Sequence, residues 1–169
     1  MKDISPAYTP AAIEFAAVAT ETSVFFEKAK SFEKTDFLQR TAKLLALLYL
    51  KTSMLPDIEL QSDEELEDFV TEQDYEFIHQ SIGELLGEND TYLETFHPDM
   101  PLSDTPIAVF ISEDIADIYQ DLKNFALRYQ IGNEEVMNDA LAVCRINFRE
   151  FWGQKLVNCL RAIHNIIMN

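Results

Sequence analysis

Apolar residues recur every three or four positions along most of the chain, a spacing that is typical of amphipathic α-helices. Five segments show it, over about residues 10–30, 35–55, 71–87, 112–132 and 133–167. A side chain that can cap a helix stands at each start, and at the first of them the cap Thr9 is followed by Pro10, which suits the first helical position. Pro56, Gly87 and Gly132 end three of the segments, since neither residue type favours a continuing helix. The pattern predicts about five main helices.

The last segment is predicted to be the longest helix. Starting after Asn133, about 34 helical residues would span roughly 50 Å. A helix of this length predicts a kink near Gly153. Its apolar stripe consists of Leu141, Cys144, Phe148, Trp152, Leu156, Cys159, Ile163 and Ile167. We expect the other helices to pack around it.

The remaining segments carry little regular pattern. Residues 57–68 are acidic and predict a loop, and residues 89–105, with Pro98 and Pro101, predict an ordered surface loop. Apolar and polar residues alternate weakly over 106–111, but the stretch is too short to form a sheet. The fold class predicted is all-α, with residues 1–169 forming a single-domain irregular or up-and-down bundle with a long C-terminal helix.

Composition agrees with a globular protein. The 169 residues are 47% hydrophobic and 25% charged, and no apolar run approaches the roughly 20 residues of a membrane span. The N-terminus has no apolar export segment, so we expect a cytoplasmic protein. Cys144 and Cys159 would lie about 22 Å apart along one helix, too far for a disulfide, which predicts two reduced core thiols.

Charge is distributed unevenly along the chain. The 71 residues between Lys51 and Lys123 contain no lysine or arginine but 20 of the 30 carboxylates, and the net charge is −17. This field disfavours direct contact with nucleic acid or with an anionic membrane. The acidic region is either a solvated surface that maintains solubility, a face that docks a basic protein partner or mimics nucleic-acid phosphates, or a set of charges that attract cations weakly or pair inside the fold.

Two Glu-x-x-His pairs are candidate metal ligands. Glu76 precedes His79, and Glu94 precedes His97, the spacing found in di-iron and di-manganese helical bundles. Such matches also arise by chance in a chain rich in glutamate, and Pro98 disfavours helical geometry at His97. We therefore predict neither a metal nor another cofactor.

A polar set on two of the predicted helices is the other candidate site. Asp114, Asp117 and Asp121 share one helix face, where like charges destabilise the helix unless a positive group opposes them. Arg161 and His164 on the last helix could supply that group. The arrangement predicts either a structural brace between two helices or a ligand-binding pocket with Tyr119 or Trp152 as its apolar wall.

Several uncommon residue combinations resemble a bacterial family of helical domains of unknown function. They are D-I-Y-Q-D-L at 117–122, W-G-x-x-L at 152–156 and L-R-A-I-H at 160–164, with further similarity at 48–56 and 90–98. The resemblance implies an all-helical bacterial protein and supplies neither an activity nor catalytic residues.

No signature of a known enzyme class occurs in the sequence. The leading hypothesis is thus a non-enzymatic helical module that binds another protein through its acidic middle or an apolar groove. The alternative is a small-molecule binder or an enzyme that uses an inter-helix pocket lined by Asp117, Asp121, Arg161 and His164.

Overall fold

Helices account for most of the residues described by the computed structural model, which are 4–94, 101 and 105–169. The α-helices are α1 (Pro10–Glu27), α2 (Lys34–Ser53), α3 (Glu72–Leu86), α4 (Ile111–Gln130), α5 (Glu134–Asn147) and α6 (Gly153–Met168). A π-helical turn, Phe148–Trp152, joins α5 directly to α6. Counting α5 and α6 as one interrupted helix, the prediction of an all-α bundle of five main helices is confirmed.

Side-chain caps fix three of the helix starts where the sequence predicts them. The side chains of Thr9, Thr71 and Asn133 each accept a hydrogen bond from the backbone N–H three residues further on. Thr71 also forms a reciprocal capping box with Asp74. At its other end α3 stops at Gly87, whose φ of 55° is a conformation that favours glycine.

Helix α4 starts in a different way from the one predicted. Ser112 does not cap it; instead Asp90 accepts hydrogen bonds from the backbone N–H of Ser112 at 2.7 Å and from its hydroxyl at 2.6 Å. A buried aspartate from elsewhere in the chain thus satisfies donors at the helix N-terminus.

A small antiparallel sheet lies between α3 and α4 in the chain order. Strand β1 (Thr91–Leu93) pairs with β2 (Ala108–Phe110), with Tyr92 opposite Val109. The expectation that residues 106–111 form no sheet was wrong, since a three-residue partner strand is too short to show an alternating pattern. Much of the predicted 89–105 loop falls outside the described residues.

Helix α4 is the centre of the bundle, although the sequence suggested the last helix. It packs against α1, α3, α5 and α6, while α2 packs on α1 and α6. Phe125 of α4 contacts Phe15 of α1, with ring centroids 4.9 Å apart. Every described helix contributes to one continuous hydrophobic core.

The interruption of the last helix comes immediately before Gly153, near the predicted kink. Gly153 donates its backbone N–H to the carbonyl of Phe148, five residues back, which defines the π-turn. A Cβ at position 153 would lie 2.3 Å from that carbonyl oxygen, so the turn requires glycine.

Cys144 and Cys159 are buried free thiols, as predicted. Within the described part of the chain, none of the helices has both the length and the apolar character needed to cross a bilayer.

Candidate functional site

Two of the three predicted aspartates on α4 meet a lysine of α6. The Nζ atom of Lys155 lies 3.4 Å from Oδ1 of Asp114 and 3.3 Å from Oδ2 of Asp117. The Asp114 side chain is 1% exposed and that of Lys155 is 26% exposed. A positive group therefore opposes the stacked carboxylates, as their mutual repulsion requires.

Two tyrosines complete this group, which we call the Asp–Lys cluster: Asp114, Asp117, Lys155, Tyr75 and Tyr92. The hydroxyl of Tyr92 on β1 donates a hydrogen bond to Asp114. The hydroxyl of Tyr75 on α3 donates to Asp117 at 3.0 Å. The cluster thus links α3, α4, α6 and the sheet through polar contacts.

Burial changes the pKa values of the acidic and basic groups in the cluster. It raises the pKa of Asp114 to about 7, although the hydrogen bond from Tyr92 and the charge of Lys155 act in the opposite direction. Burial lowers the pKa of Lys155, but Asp114 and Asp117 together outweigh it and raise that pKa above its ordinary value. The lysine therefore stays charged at neutral pH while Asp114 titrates there.

The third aspartate, Asp121, lies outside the cluster. It accepts a hydrogen bond from the side chain of Asn147 at 2.7 Å, and burial raises its pKa to about 6.

Tyr119 is buried and donates to Glu27 at 2.8 Å. Trp152 is fully buried, and its indole N–H donates to the carbonyl of Cys144 at 3.0 Å. Because both are buried side chains with hydrogen-bond partners, neither is placed as the wall of an open pocket.

The prediction that Arg161 and His164 face these aspartates was wrong. Arg161 donates to the carbonyl of Leu93 at 3.0 Å, because strand β1, which the sequence did not reveal, lies beside that part of α6. His164 is exposed and borders a groove next to α2. The residue that reaches the aspartates is Lys155, which lies nearer the start of α6.

The metal candidates that the structure describes, Glu76, His79 and Glu94, form no common site. Glu76 and His79 lie one turn apart on α3, with 3.8 Å between the carboxylate and the imidazole. Glu94 is buried and accepts a hydrogen bond from Asn158, whereas His97 lies outside the described residues. Over the ranges that the structure covers, no three His, Cys, Asp or Glu side chains are grouped as metal ligands would be.

The acidic loop is attached to the bundle by buried polar side chains. We call residues 57–70 the acidic strap. Asp139 of α5, itself buried, accepts the backbone N–H groups of Gln61 and Ser62 at 2.7 and 3.0 Å. Asn124 of α4, also buried, accepts those of Phe69 and Val70 at 2.7 and 2.9 Å. These bonds replace the ones that a helix or sheet would provide.

Two more side chains bind carbonyls of the strap. Asn138 donates to the carbonyl of Glu59 at 2.9 Å, and Arg128 donates to the carbonyl of Glu67 at 2.8 Å. Arg128 also pairs with Asp68 at 2.5 Å. Sequence reasoning missed these anchors, but Asn124, Asn138 and Asp139 are polar residues at buried helix positions, a pattern that could have indicated them.

The strap's own carboxylates point outward. In the described part of the 52–122 region, lysine or arginine pairs only with Asp57, Asp68, Glu84, Asp114 and Asp117. Glu59, Asp63, Glu64, Glu65 and Glu67 are exposed without such a partner among the described residues. A groove of about 230 Å³ between the strap and the start of α5 is bordered by acidic residues and by Leu66, Phe69, Ile131 and Val136.

Comparison with known proteins identifies the family of the chain. The chain resembles the crystal structure of protein BF1032 from Bacteroides fragilis, with a TM-score of 0.86 and 45% sequence identity over 95% of this chain and 94% of that one. No curated protein matches it. Residues 6–169 match the family model described as "Domain of unknown function (DUF5063)". The chain therefore belongs to the DUF5063 family of domains of unknown function.

Proposed function

We propose that this protein is a non-enzymatic helical module that binds a basic segment of a partner protein on its acidic strap. One observation carries the proposal: hydrogen bonds to two buried side chains, Asp139 and Asn124, hold the backbone of the strap while its carboxylates face solvent. A strap needed only for solubility would not require buried anchors, since exposed carboxylates serve that purpose on any surface.

A strap held in this way favours binding for two reasons. Its backbone is already ordered, so association loses less conformational entropy than it would with a free acidic tail. Its negative potential also accelerates encounters with a positively charged partner. The adjoining groove adds apolar contacts, which suit the aliphatic stem of a lysine or arginine whose charged end meets Glu64, Glu65 or Glu135.

The alternative pocket has no such support. It requires Asp117, Asp121, Arg161 and His164 to converge, but these residues face Lys155, Asn147, strand β1 and α2 respectively. We therefore do not propose a small-molecule or catalytic function at that place.

We further propose that the protein acts in the cytoplasm without direct contact with nucleic acid or membrane. The buried free cysteines suit a reducing compartment, and the net charge of −17 repels phosphate-rich surfaces. Fractionation of the source cells tests the location, and recovery of the protein in a membrane or secreted fraction would contradict it.

The binding proposal is tested by calorimetric titration with a synthetic peptide of alternating arginine and leucine. The strap variant Glu64→Gln/Glu65→Gln/Glu67→Gln is compared with a control that carries Glu21→Gln, Glu72→Gln and Glu88→Gln. All six glutamates are exposed and lack a lysine or arginine partner among the described residues, and both variants change the net charge equally. We expect the strap variant to bind about tenfold more weakly, which corresponds to about 1.4 kcal/mol, and the control to bind nearly as the parent does. Equal weakening in both would mean that only bulk charge matters and would refute a docking site on the strap.

A further inference from the structure

A second groove, of about 390 Å³, lies where the π-turn faces the end of α2. Its border includes Tyr49 of α2, Arg145 of α5, Phe148, Arg149 and Gly153 at the π-turn, and Val157 of α6. It is distinct from the groove beside the acidic strap, with which it shares no described lining residue.

The charged residues that line this groove are basic, in a strongly acidic protein. Among its described lining residues, Arg145 and Arg149 are the only ionisable ones apart from Tyr49, and none is an aspartate or glutamate. Arg145 pairs at 2.6 Å with Asp57, which is 95% exposed. Among the described residues Arg149 pairs with Glu150 alone, at 3.6 Å, and both side chains are largely exposed. Its planar fork of donors is therefore free to bind a carboxylate or phosphate.

The rest of the groove is apolar and aromatic. The ring of Phe148 makes edge contacts with Tyr49, at 5.4 Å between centroids, and with the buried Trp152, at 4.6 Å. Tyr49 and Val157 are each nearly half exposed. Rings held in this way offer a flat surface on which a planar ligand can pack.

The π-turn determines the positions of Arg149 and of the Phe148 ring. It inserts one extra residue into the helix, which changes the direction in which the side chains before and after it point. The Phe148 ring lies 3.0 Å from the place that a Cβ of Gly153 would occupy, so the ring sits closely against the glycine. An uninterrupted helix would not bring this ring and Arg149 to the groove in the same arrangement.

We infer that this groove binds a small molecule that combines a flat apolar body with one carboxylate or phosphate group. Arg149 would bind the anion, and Tyr49, Phe148 and Val157 would contact the body. This site takes the opposite charge from the proposed partner surface, so it is a separate activity of the fold.

Phenyl phosphate is the probe, titrated into the ¹⁵N-labelled full chain and followed by amide chemical shifts. A fragment of this size is expected to bind with a Kd of about 1 mM. We expect shifts concentrated at residues 49–53 and 145–157. Arg149→Gln should weaken binding at least about tenfold, as the loss of a charge-assisted hydrogen bond does. Arg40→Gln, which removes an exposed arginine of α2 outside the groove, should leave it unchanged.

A Val157→Phe variant, at an exposed position, gives a second test that does not depend on charge. It should fill the groove and abolish the shifts while the amide spectrum stays that of a folded protein. The inference is overturned if phenyl phosphate causes no localised shifts, if Arg149→Gln binds it as well as the parent, or if inorganic phosphate alone reproduces the same shifts at the same concentrations.

Discussion

At the residue scale, the fold accommodates buried aspartates in two different ways. Asp139 accepts two backbone N–H groups and a side-chain amide, so hydrogen bonds alone satisfy it. Asp114 and Asp117 instead both lie beside the single positive charge of Lys155. The Oδ1 atom of Asp114 has no hydrogen-bond partner among the described residues. Burial disfavours the charged form of this carboxylate, and this effect outweighs Tyr92 and Lys155 and raises the pKa of Asp114.

Asp114 should make stability depend on pH. Its pKa is about 7 in the folded chain, against an ordinary value of 3.8 for an aspartate in an unfolded chain, so folding binds a proton between these values. The stability that this group contributes is present below about pH 4 and is lost as the pH rises to about 7. Against the non-titrating variant Asp114→Asn, the parent should lose up to about 1.4 kcal/mol per pH unit in this window. Urea unfolding at several pH values measures the difference. The free energy of unfolding of Asp63→Asn, an exposed control, should change with pH as that of the parent does. If the free energy of unfolding of Asp114→Asn also followed the parent at every pH, the account would be contradicted.

Lys155 should be necessary for the stability of the cluster. In Lys155→Met both carboxylates lose their cation, and we expect a loss of about 3 kcal/mol at pH 8. The loss should be smaller at pH 5, where Asp114 is protonated. As a control, Lys30→Met removes an exposed pair with Glu84 and should cost less than about 1 kcal/mol. Similar effects of the two variants on denaturant unfolding would show that the cluster is not a brace.

At the element scale, the π-turn gives position 153 a strict requirement. Gly153→Ala places a Cβ against the Phe148 carbonyl, and we expect a loss of about 2–3 kcal/mol or more, because the turn must rearrange. The control is Gly83→Ala inside α3, where the new Cβ meets nothing closer than 3.4 Å. Alanine favours helix there, so the control should be neutral or stabilising by up to about 1 kcal/mol. Thermal unfolding ranks the two, and a neutral Gly153→Ala would rule out the strained contact.

The strap should depend on its individual anchors. In Asp139→Ala the amides of Gln61 and Ser62 lose their acceptor, so their hydrogen exchange should accelerate strongly. The amides of Phe69 and Val70, held by Asn124, should accelerate less. If all four amides exchange rapidly in the parent chain, the strap is not held as described.

The sequence predicts features that depend on neighbouring residues, and it does not predict those that depend on contacts between distant parts of the chain. Local signals identified the helix starts at Thr9, Thr71 and Asn133, because a cap and its partner lie within one turn. The partner of the α4 aspartates was missed because it depends on which part of α6 faces α4. That placement reflects the sheet and the π-turn, neither of which leaves a clear local period. The strap anchors were missed for the same reason, since Asp139 and Gln61 are 78 residues apart.

At the scale of the whole molecule, charge and structure are organised together. Buried polar residues of α4 and α5 hold the acidic strap, while arginines of α5 and the π-turn form a groove of the opposite sign. This chain thus carries an acidic strap and an arginine-lined groove on one helical core. The proposed partner recognition belongs to the first of them.

The central claim is that the strap itself is the surface that a basic partner contacts. The most direct measurement is a chemical-shift titration of the ¹⁵N-labelled chain with an arginine-rich peptide. We predict shifts concentrated at residues 57–70 and at the start of α5, which weaken as salt is added. Shifts spread evenly over all exposed carboxylates, or concentrated on another face, would contradict the account.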